Sequence, residues 1–401
     1  MKKKIIVVSH TMRIGGVERS LIGMLNAFDY NKYEIDLFLY IHDGEFMSLI
    51  PEQVNILPEI KKYTSLLVPA KQNILNGYFD ILIEKTYASI KSKLFCNKNK
   101  LSTENLVYMD YQQKYTVCSL PRINPEKAYD LAISFMNPHY IVPQKINAKK
   151  SIAWIHTDYS FFEFDKKSEV AIWNKYDYIA SVSDSVSASF VRQFPSLESK
   201  IVLIENILSP DFIRTQADAI DVSAEISREK DLTTICSAGR FTQAKNFDNV
   251  PFICKFLIES GLHIKWYLIG YGGEEDLIRS RIKETNMQEH VIISGKKENP
   301  YPYMKACDIY VQPSRYEGKA VTVREAQILC KPVIITNYTT STSQLKDGVD
   351  GIIVPMDNER CAKGIKHLID QPELQQQLIE NCRNGDFGNE KEVKKICNLI
   401  E

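Results

Sequence analysis

Two carboxylates eight residues apart, Glu317 and Glu325, stand in the run Gln312-Pro-Ser-Arg-Tyr-Glu-Gly-Lys-Ala-Val-Thr-Val-Arg-Glu. The apolar residues before Pro313 read as a strand, Glu317-Gly318 as a loop, and Val321 onward as a helix with Glu325 in its first turn. The amides of Lys319, Ala320 and Val321 then lie at a helix N-terminus, where partial positive charge can hold a phosphate. Glu325 has a second reading, because Thr322-x-x-Glu325 also fits a capping box. Further upstream, the strand Thr233 to Ser237 opens into Gly239-Arg240 and then Lys245-Asn246. A guanidinium and an ammonium just beyond the carboxyl end of a strand suit a diphosphate, although solvated loop cations would look the same. Gly270-Tyr-Gly-Gly273 forms another glycine loop at a strand end.

The N-terminal half offers weaker candidates. Gly15-Gly16 lies between the strand Ile5 to Val8 and a helix from Val17 to Phe28, which is phosphate-cradle geometry or a ligand-free turn. It is not G-x-G-x-x-G, and no acidic residue ends the second strand, so NAD binding is disfavoured. His156 and Asp158, in Trp154-Ile-His-Thr-Asp, follow another strand and could position a donor or an acceptor hydroxyl. A histidine capping the strand end is the structural alternative. His10, just after the first strand, is weaker still, and Asn206, at the end of the strand Ile201 to Ile204, reads equally well as a turn residue.

Short β-branched runs alternate with helical patterns along the whole chain, which calls for parallel sheets with crossover helices. Two series of such runs, Ile5 to Ile204 and Thr233 to Val354, predict two doubly wound α/β domains of similar size with a cleft between them. The expected boundaries are 1–206 for an N-terminal domain, 207–231 for a polar linker with a short helix, and 232–385 for a C-terminal domain. Residues 386–401 are expected to form a helix that can return to the first domain. The segment Ile74 to Phe95 reads as one amphipathic helix carrying Lys85, Lys91 and Lys93, either packed on the core with solvated lysines or presented to a membrane.

The ordered set Gly15-Gly16, Gly239-Arg240 with Lys245, the Gly270 loop, Pro313-Ser314 with Glu317 and Glu325, Lys331-Pro332 and Asp347-Gly-Val-Asp-Gly351 resembles retaining glycosyltransferases of family 4. That resemblance implies the GT-B fold, two Rossmann-like domains facing each other across a cleft. It also implies a hexose moved from a nucleoside-diphosphate sugar, a UDP-sugar by preference, to an acceptor hydroxyl on the N-terminal domain. Carried onto this chain, Arg240 and Lys245 would bind the diphosphate, Glu317 the hexose and Glu325 the ribose. Gly15, Gly16, Gly270, Gly318, Lys319, Ala320 and Val321 would complete the donor site. His156 would stand near the reacting sugar, with Asp158 beside it, and Asn206 at an interdomain hinge. Lys319-Ala320 stand where such enzymes often carry an aromatic residue and a second glycine, and Ser343-Gln344-Leu345 where a Glu is common. A GT-B epimerase or hydrolase and an inactive donor-binding subunit are the competing readings.

Fifty basic residues balance fifty acidic ones, and no basic field favours nucleic acid. The stretch from Lys61 to Lys150 is an exception, with 14 basic and 6 acidic residues, and could face an anionic membrane. Nine singly scattered cysteines indicate neither a zinc site nor a disulfide framework. There is no D-x-D triplet, so neither a metal nor another cofactor is expected. No apolar run reaches the ~20 residues of a membrane span. The apolar run after Met1-Lys-Lys-Lys stops at Ser9-His10 and reads as a first strand rather than a signal peptide. A cytoplasmic enzyme, soluble or docked peripherally at the inner face of the membrane on a lipid-linked or polysaccharide acceptor, is the expectation.

Overall fold

A computed structural model describes residues 2–101 and 105–400. The chain divides into two compact units, Met1–Ile207 with Glu390–Glu401, and Leu208–Asn389. The first holds a seven-stranded parallel sheet in the order β3-β2-β1-β4-β5-β6-β7. Its strands are β1 (Lys3–Ser9), β2 (Tyr33–Leu39), β3 (Asn55–Ile56), β4 (Tyr129–Ser134), β5 (Ala148–Ile155), β6 (Tyr178–Ser181) and β7 (Ile201–Leu203). The second holds a six-stranded parallel sheet in the order β10-β9-β8-β11-β12-β13. These strands are β8 (Thr233–Ala238), β9 (Ile264–Ile269), β10 (Val291–Gly295), β11 (Ile309–Gln312), β12 (Val333–Thr336) and β13 (Ile352–Val354). Both are doubly wound α/β sheets, as the alternating runs predict. Only β3 was not foreseen, and at two residues on the sheet edge it carries no pattern to read.

Helices cover both faces of the second sheet, which is why its strands are continuous apolar runs. Successive residues enter opposite cores: Ile235 and Ile334 pack with Trp266, Val250 and Ile365 on one face, while Cys236, Val333 and Ile335 pack with Met304, Val323 and Tyr310 on the other. The second core also takes in Ile213, Ala217, Val222 and Ile226. Of the polar stretch 207–231, expected as a linker, residues 208–231 therefore belong to the second unit, built on the helix Pro210–Ala217. At the chain's end, residues 390–401 belong to the first unit, where the Glu392 carboxylate accepts from the Glu205 amide and Lys395 donates to the Leu203 carbonyl.

The helix expected over Ile74 to Phe95 is two helices, Ala70–Leu75 and Phe79–Asn99. Gly77 separates them at φ 75, a left-handed conformation that ends the first helix. The packing also departs from expectation, since Ile81 is buried whereas Ile74, Leu75, Tyr87 and Ile90 are exposed. Lys85 is not a solvated lysine. Its Nζ donates to the carbonyls of Ser65, Leu66 and Val68 at 3.1, 3.5 and 3.0 Å, and burial holds its pKa below the usual lysine value.

Candidate functional site

In an open parallel sheet, ligands bind beyond the carboxyl ends of the strands where the winding reverses. In the second unit that point lies between β8 and β11, which pair side by side although far apart in sequence. The loop after β8 carries Arg240 and Lys245, and the loop after β11 carries Glu317. Lys245 Nζ and Glu317 Oε1 are 2.5 Å apart, an ion pair with both side chains mostly buried. Ser314 Oγ donates to the same carboxylate oxygen at 2.7 Å, and Gln312 Nε2 donates to Ser314 Oγ at 2.9 Å. Thr340 Oγ1 donates to the Glu317 carbonyl at 2.9 Å. The Glu317 side chain is thus fixed by a chain of hydrogen bonds that begins inside β11. Arg240 is exposed and makes no hydrogen bond or ion pair with the described residues, so its guanidinium is available to an anion.

Sequence reasoning missed what braces these loops. Arg315 forms a two-pronged pair with Asp248 at 2.9 and 2.7 Å, and its Nη1 also donates to the Gln243 carbonyl at 2.6 Å. The Arg315 amide donates to the Ala244 carbonyl, and Asn246 Nδ2 donates to the Pro313 carbonyl at 2.8 Å. The Lys245 and Glu317 loops are therefore held in register from both sides of the pair. The only hint in the sequence was an arginine two residues before Glu317. Gly270 has a structural explanation too: a Cβ there would stand 1.8 Å from the Gly239 carbonyl oxygen. The glycine lets the β9 loop press against the loop that presents Arg240. Gly272 does the same beneath Phe241, whose backbone a Cβ would meet at 2.3 Å.

The helix Val321–Ile328 begins after Ala320, its N-cap, so Glu325 lies beyond the first turn. Thr322 is not the cap, and its Oγ1 donates instead to Gln312 Oε1 at 3.2 Å. That removes the capping-box reading. Glu325 is fully buried and accepts from the Tyr301 hydroxyl at 2.8 Å. The Ala320 amide, expected to be open to a phosphate, donates to Gln344 Oε1 at 2.8 Å, so any anion at this helix start must use its neighbours. Gly318 and Lys319 are partly buried in the loop between.

The first unit gathers a different set of groups. His156, at the end of β5, places Nε2 2.9 Å from the Phe135 carbonyl, so that nitrogen carries the proton. Burial lowers its pKa to about 4, against which the Phe135 carbonyl and the Asn206 side chain work. Asn206 Oδ1 in turn accepts from Ser20 Oγ at 3.0 Å. His10 packs on the Tyr40 ring, and burial lowers its pKa to about 4. His139, not singled out from sequence, bonds Ser134 and Asn137 and is lowered to about 3 by burial, with repulsion from His156 and His10 adding to it. The Asp158 carboxylate accepts from the Ser160 amide and hydroxyl, capping a short turn, and makes no bond to His156. Gly15 is the N-cap of the helix Gly16–Ala27, and the Glu18 carboxylate folds over it, 2.1 Å from where a Gly15 Cβ would stand. An incoming phosphate at Gly15-Gly16 would therefore meet a carboxylate.

Residues 220–385 match the family described as Glycosyl transferases group 1. The matched stretch lies within the second unit and contains Arg240, Lys245, Glu317 and Glu325. Over 142 residues the chain is 28% identical to an N-acetylgalactosaminyltransferase of Campylobacter jejuni that acts on N-acetylgalactosamine-N,N'-diacetylbacillosaminyl-diphospho-undecaprenol, covering 35% of this chain and 38% of that one. It is 26% identical over 168 residues to the UDP-Gal:alpha-D-GlcNAc-diphosphoundecaprenol alpha-1,3-galactosyltransferase of Escherichia coli, covering 40% and 43%. The chain thus spans about two-fifths of the length of these curated relatives. Solved structures extend the likeness in fold. Anabaena HepE, solved with UDP and glucose, superposes with a TM-score of 0.67 at 14% identity over 99% of both chains. Staphylococcus aureus TarM, as a mutant solved with UDP, gives 0.67 at 14% over 100% of both. The architecture is that of GT-B glycosyltransferases.

Proposed function

We propose that this protein is a retaining glycosyltransferase that moves a hexose from a nucleoside-diphosphate sugar, preferably a UDP-sugar, to a hydroxyl of a glycan or lipid-linked acceptor in bacterial surface-glycan synthesis. The observation that carries this reading is the Lys245–Glu317 pair at the β8/β11 reversal point, inside the stretch that matches the group 1 family. UDP in HepE and TarM and the polyprenyl-diphosphate acceptors in the names of the two relatives support the choice of donor and acceptor classes.

In this reading Arg240 and Lys245 neutralise the charge that develops on the departing diphosphate, the largest electrostatic demand of the reaction. Glu317, held by Lys245 and Ser314, accepts hydrogen bonds from the hexose, and Glu325, buried and bonded to Tyr301, is the residue the resemblance assigns to the ribose. The bond from the anomeric carbon to the phosphate oxygen breaks while the acceptor oxygen bonds the same face, and the acceptor proton passes to the departing phosphate. His156, neutral at physiological pH, positions the reacting sugar rather than donating charge. The two cations supply the charge a bridging metal would supply elsewhere, so activity should survive EDTA. Activity lost on chelation and restored by magnesium or manganese would contradict that step.

The test is release of nucleoside diphosphate from a panel of nucleotide sugars, with and without polyprenyl-diphosphate-linked acceptors. A transferase releases it only when acceptor is present. Release without acceptor would indicate an epimerase or hydrolase, and no release with any pair an inactive donor-binding subunit.

A further inference from the structure

The helix Phe79–Asn99 turns its apolar side outward. Phe79, Ile83, Tyr87, Ile90 and Leu94 are 59%, 69%, 46%, 53% and 61% exposed, whereas Ile81, Ala88 and Ser92 are buried. At 3.6 residues per turn the five exposed side chains fall within roughly 80° of arc, and the buried three lie on the opposite side. Ile74 and Leu75, on the preceding helix Ala70–Leu75, are exposed as well. A continuous apolar face of this kind marks a surface that is covered in use.

The charges around it say by what. Residues 61–100 contain eight lysines against Asp80 and Glu84. Asp80 is paired with Lys62 at 2.5 Å, and Glu84 accepts from the Ser119 hydroxyl while burial raises its pKa. Lys85 is turned inward onto three carbonyls. By the same helical step, the exposed Lys91 and Lys98 border one edge of the apolar face and Lys93 borders the other. Apolar residues in the middle with lysines on both flanks make the pattern of a helix that lies in a membrane interface, its rings and branched chains among the acyl tails and its ammoniums among the phosphates. No helix among the described residues is long and apolar enough to cross a membrane.

We propose that this face docks the protein onto an anionic lipid bilayer, with Phe79, Ile83, Ile90 and Leu94 inserted and Lys91, Lys93 and Lys98 on the headgroups. The proposal deepens the reading of a lipid-linked acceptor and rests on it for its purpose, but docking is measured without donor or acceptor, so the two can fail separately. The test is co-sedimentation with vesicles of phosphatidylcholine alone and of phosphatidylcholine with phosphatidylglycerol. Wild type should prefer anionic vesicles, and the preference should fade by a few hundred millimolar salt as the Debye length shortens. The triple variant Lys91→Gln, Lys93→Gln, Lys98→Gln should lose roughly 100-fold in affinity for anionic vesicles, about fivefold per lysine. Ile83→Ser with Leu94→Ser should lose binding while melting like wild type, since both side chains are exposed. Lys85→Gln should lower the melting temperature and leave vesicle affinity unchanged in the folded protein. Wild type that ignores lipid charge, or a concentration-dependent dimer that Ile83→Ser dissolves in the absence of vesicle binding, would overturn the proposal.

Discussion

At the carboxyl ends of β8 and β11 the second unit gathers charges, namely exposed Arg240, the Lys245–Glu317 pair and the Arg315–Asp248 pair that braces it. At the carboxyl ends of β1, β4 and β5 the first unit gathers His10, His139 and His156, which burial keeps neutral, and it lays the Glu18 carboxylate over Gly15. The two sheets share a winding order, so the difference lies in the loops rather than the scaffold. One reversal point carries cations that a diphosphate would meet, and the other carries neutral, buried imidazoles beside a carboxylate.

Replacing Glu317 by Gln should break the charged site most severely. Its hydrogen-bonded frame survives, yet turnover should fall roughly 100-fold or more, as when a preorganised polar contact at a reacting centre is removed. Turnover at the wild-type rate would show that the pair with Lys245 is structural. Arg315→Ala sharpens the comparison differently, because Arg315 touches neither Lys245 nor Glu317. Loss of its two-pronged bond should cost about 1.5 to 3 kcal/mol of stability and raise the donor KM, with a smaller change in kcat. Thermal melts and steady-state kinetics check both, and an unchanged KM would remove it from loop positioning. For Arg240→Ala, an affinity loss near tenfold for a nucleoside diphosphate is expected, since an exposed guanidinium contributes one charge-assisted contact. Calorimetry showing no loss would leave Arg240 a solvated loop cation.

The smallest effect concerns the neutral set. Each of the three histidines has a folded pKa below the ordinary 6.5, so stability from their neutral forms is present above that pH and is lost as pH falls toward about 4. Glu169, raised by burial to about 8, acts in the opposite sense: its contribution is present below 4.5 and lost as pH rises through about 8. Asp110, also raised by burial, acts in the same direction as Glu169. Three histidine protons outweigh the carboxyl groups between pH 6.5 and 4.5, and the melting temperature should drop by a few degrees per unit on acidification. His139→Gln should flatten that slope. A melting temperature that rises toward pH 5 would contradict neutral burial.

Much of this was legible in the sequence, for physical reasons. Buried parallel strands are continuous apolar runs, so twelve of thirteen strands could be placed within a few residues, and β3 was too short to leave a pattern. Lys245, Glu317 and Arg240 were legible because strand ends are where open sheets bind ligands. What stayed hidden depends on side chains meeting across long sequence separations. Gln344 takes the Ala320 amide from 24 residues away, Arg315 grips Asp248 from 67 away, and Lys85 turns inward to carbonyls 17 to 20 residues earlier. None of these leaves a periodicity. The helix Phe79–Asn99 misled for the opposite reason: its apolar stripe looks like a core face, and only burial shows that it points outward.

The central claim is that the β8/β11 reversal point holds a diphosphate. Titration calorimetry of wild type and Lys245→Ala with UDP and with uridine tests it most directly, because the two ligands differ only in the phosphates. The variant should lose about 1.5 to 3 kcal/mol toward UDP and keep its affinity for uridine. Equal losses for both ligands, or none for either, would contradict it.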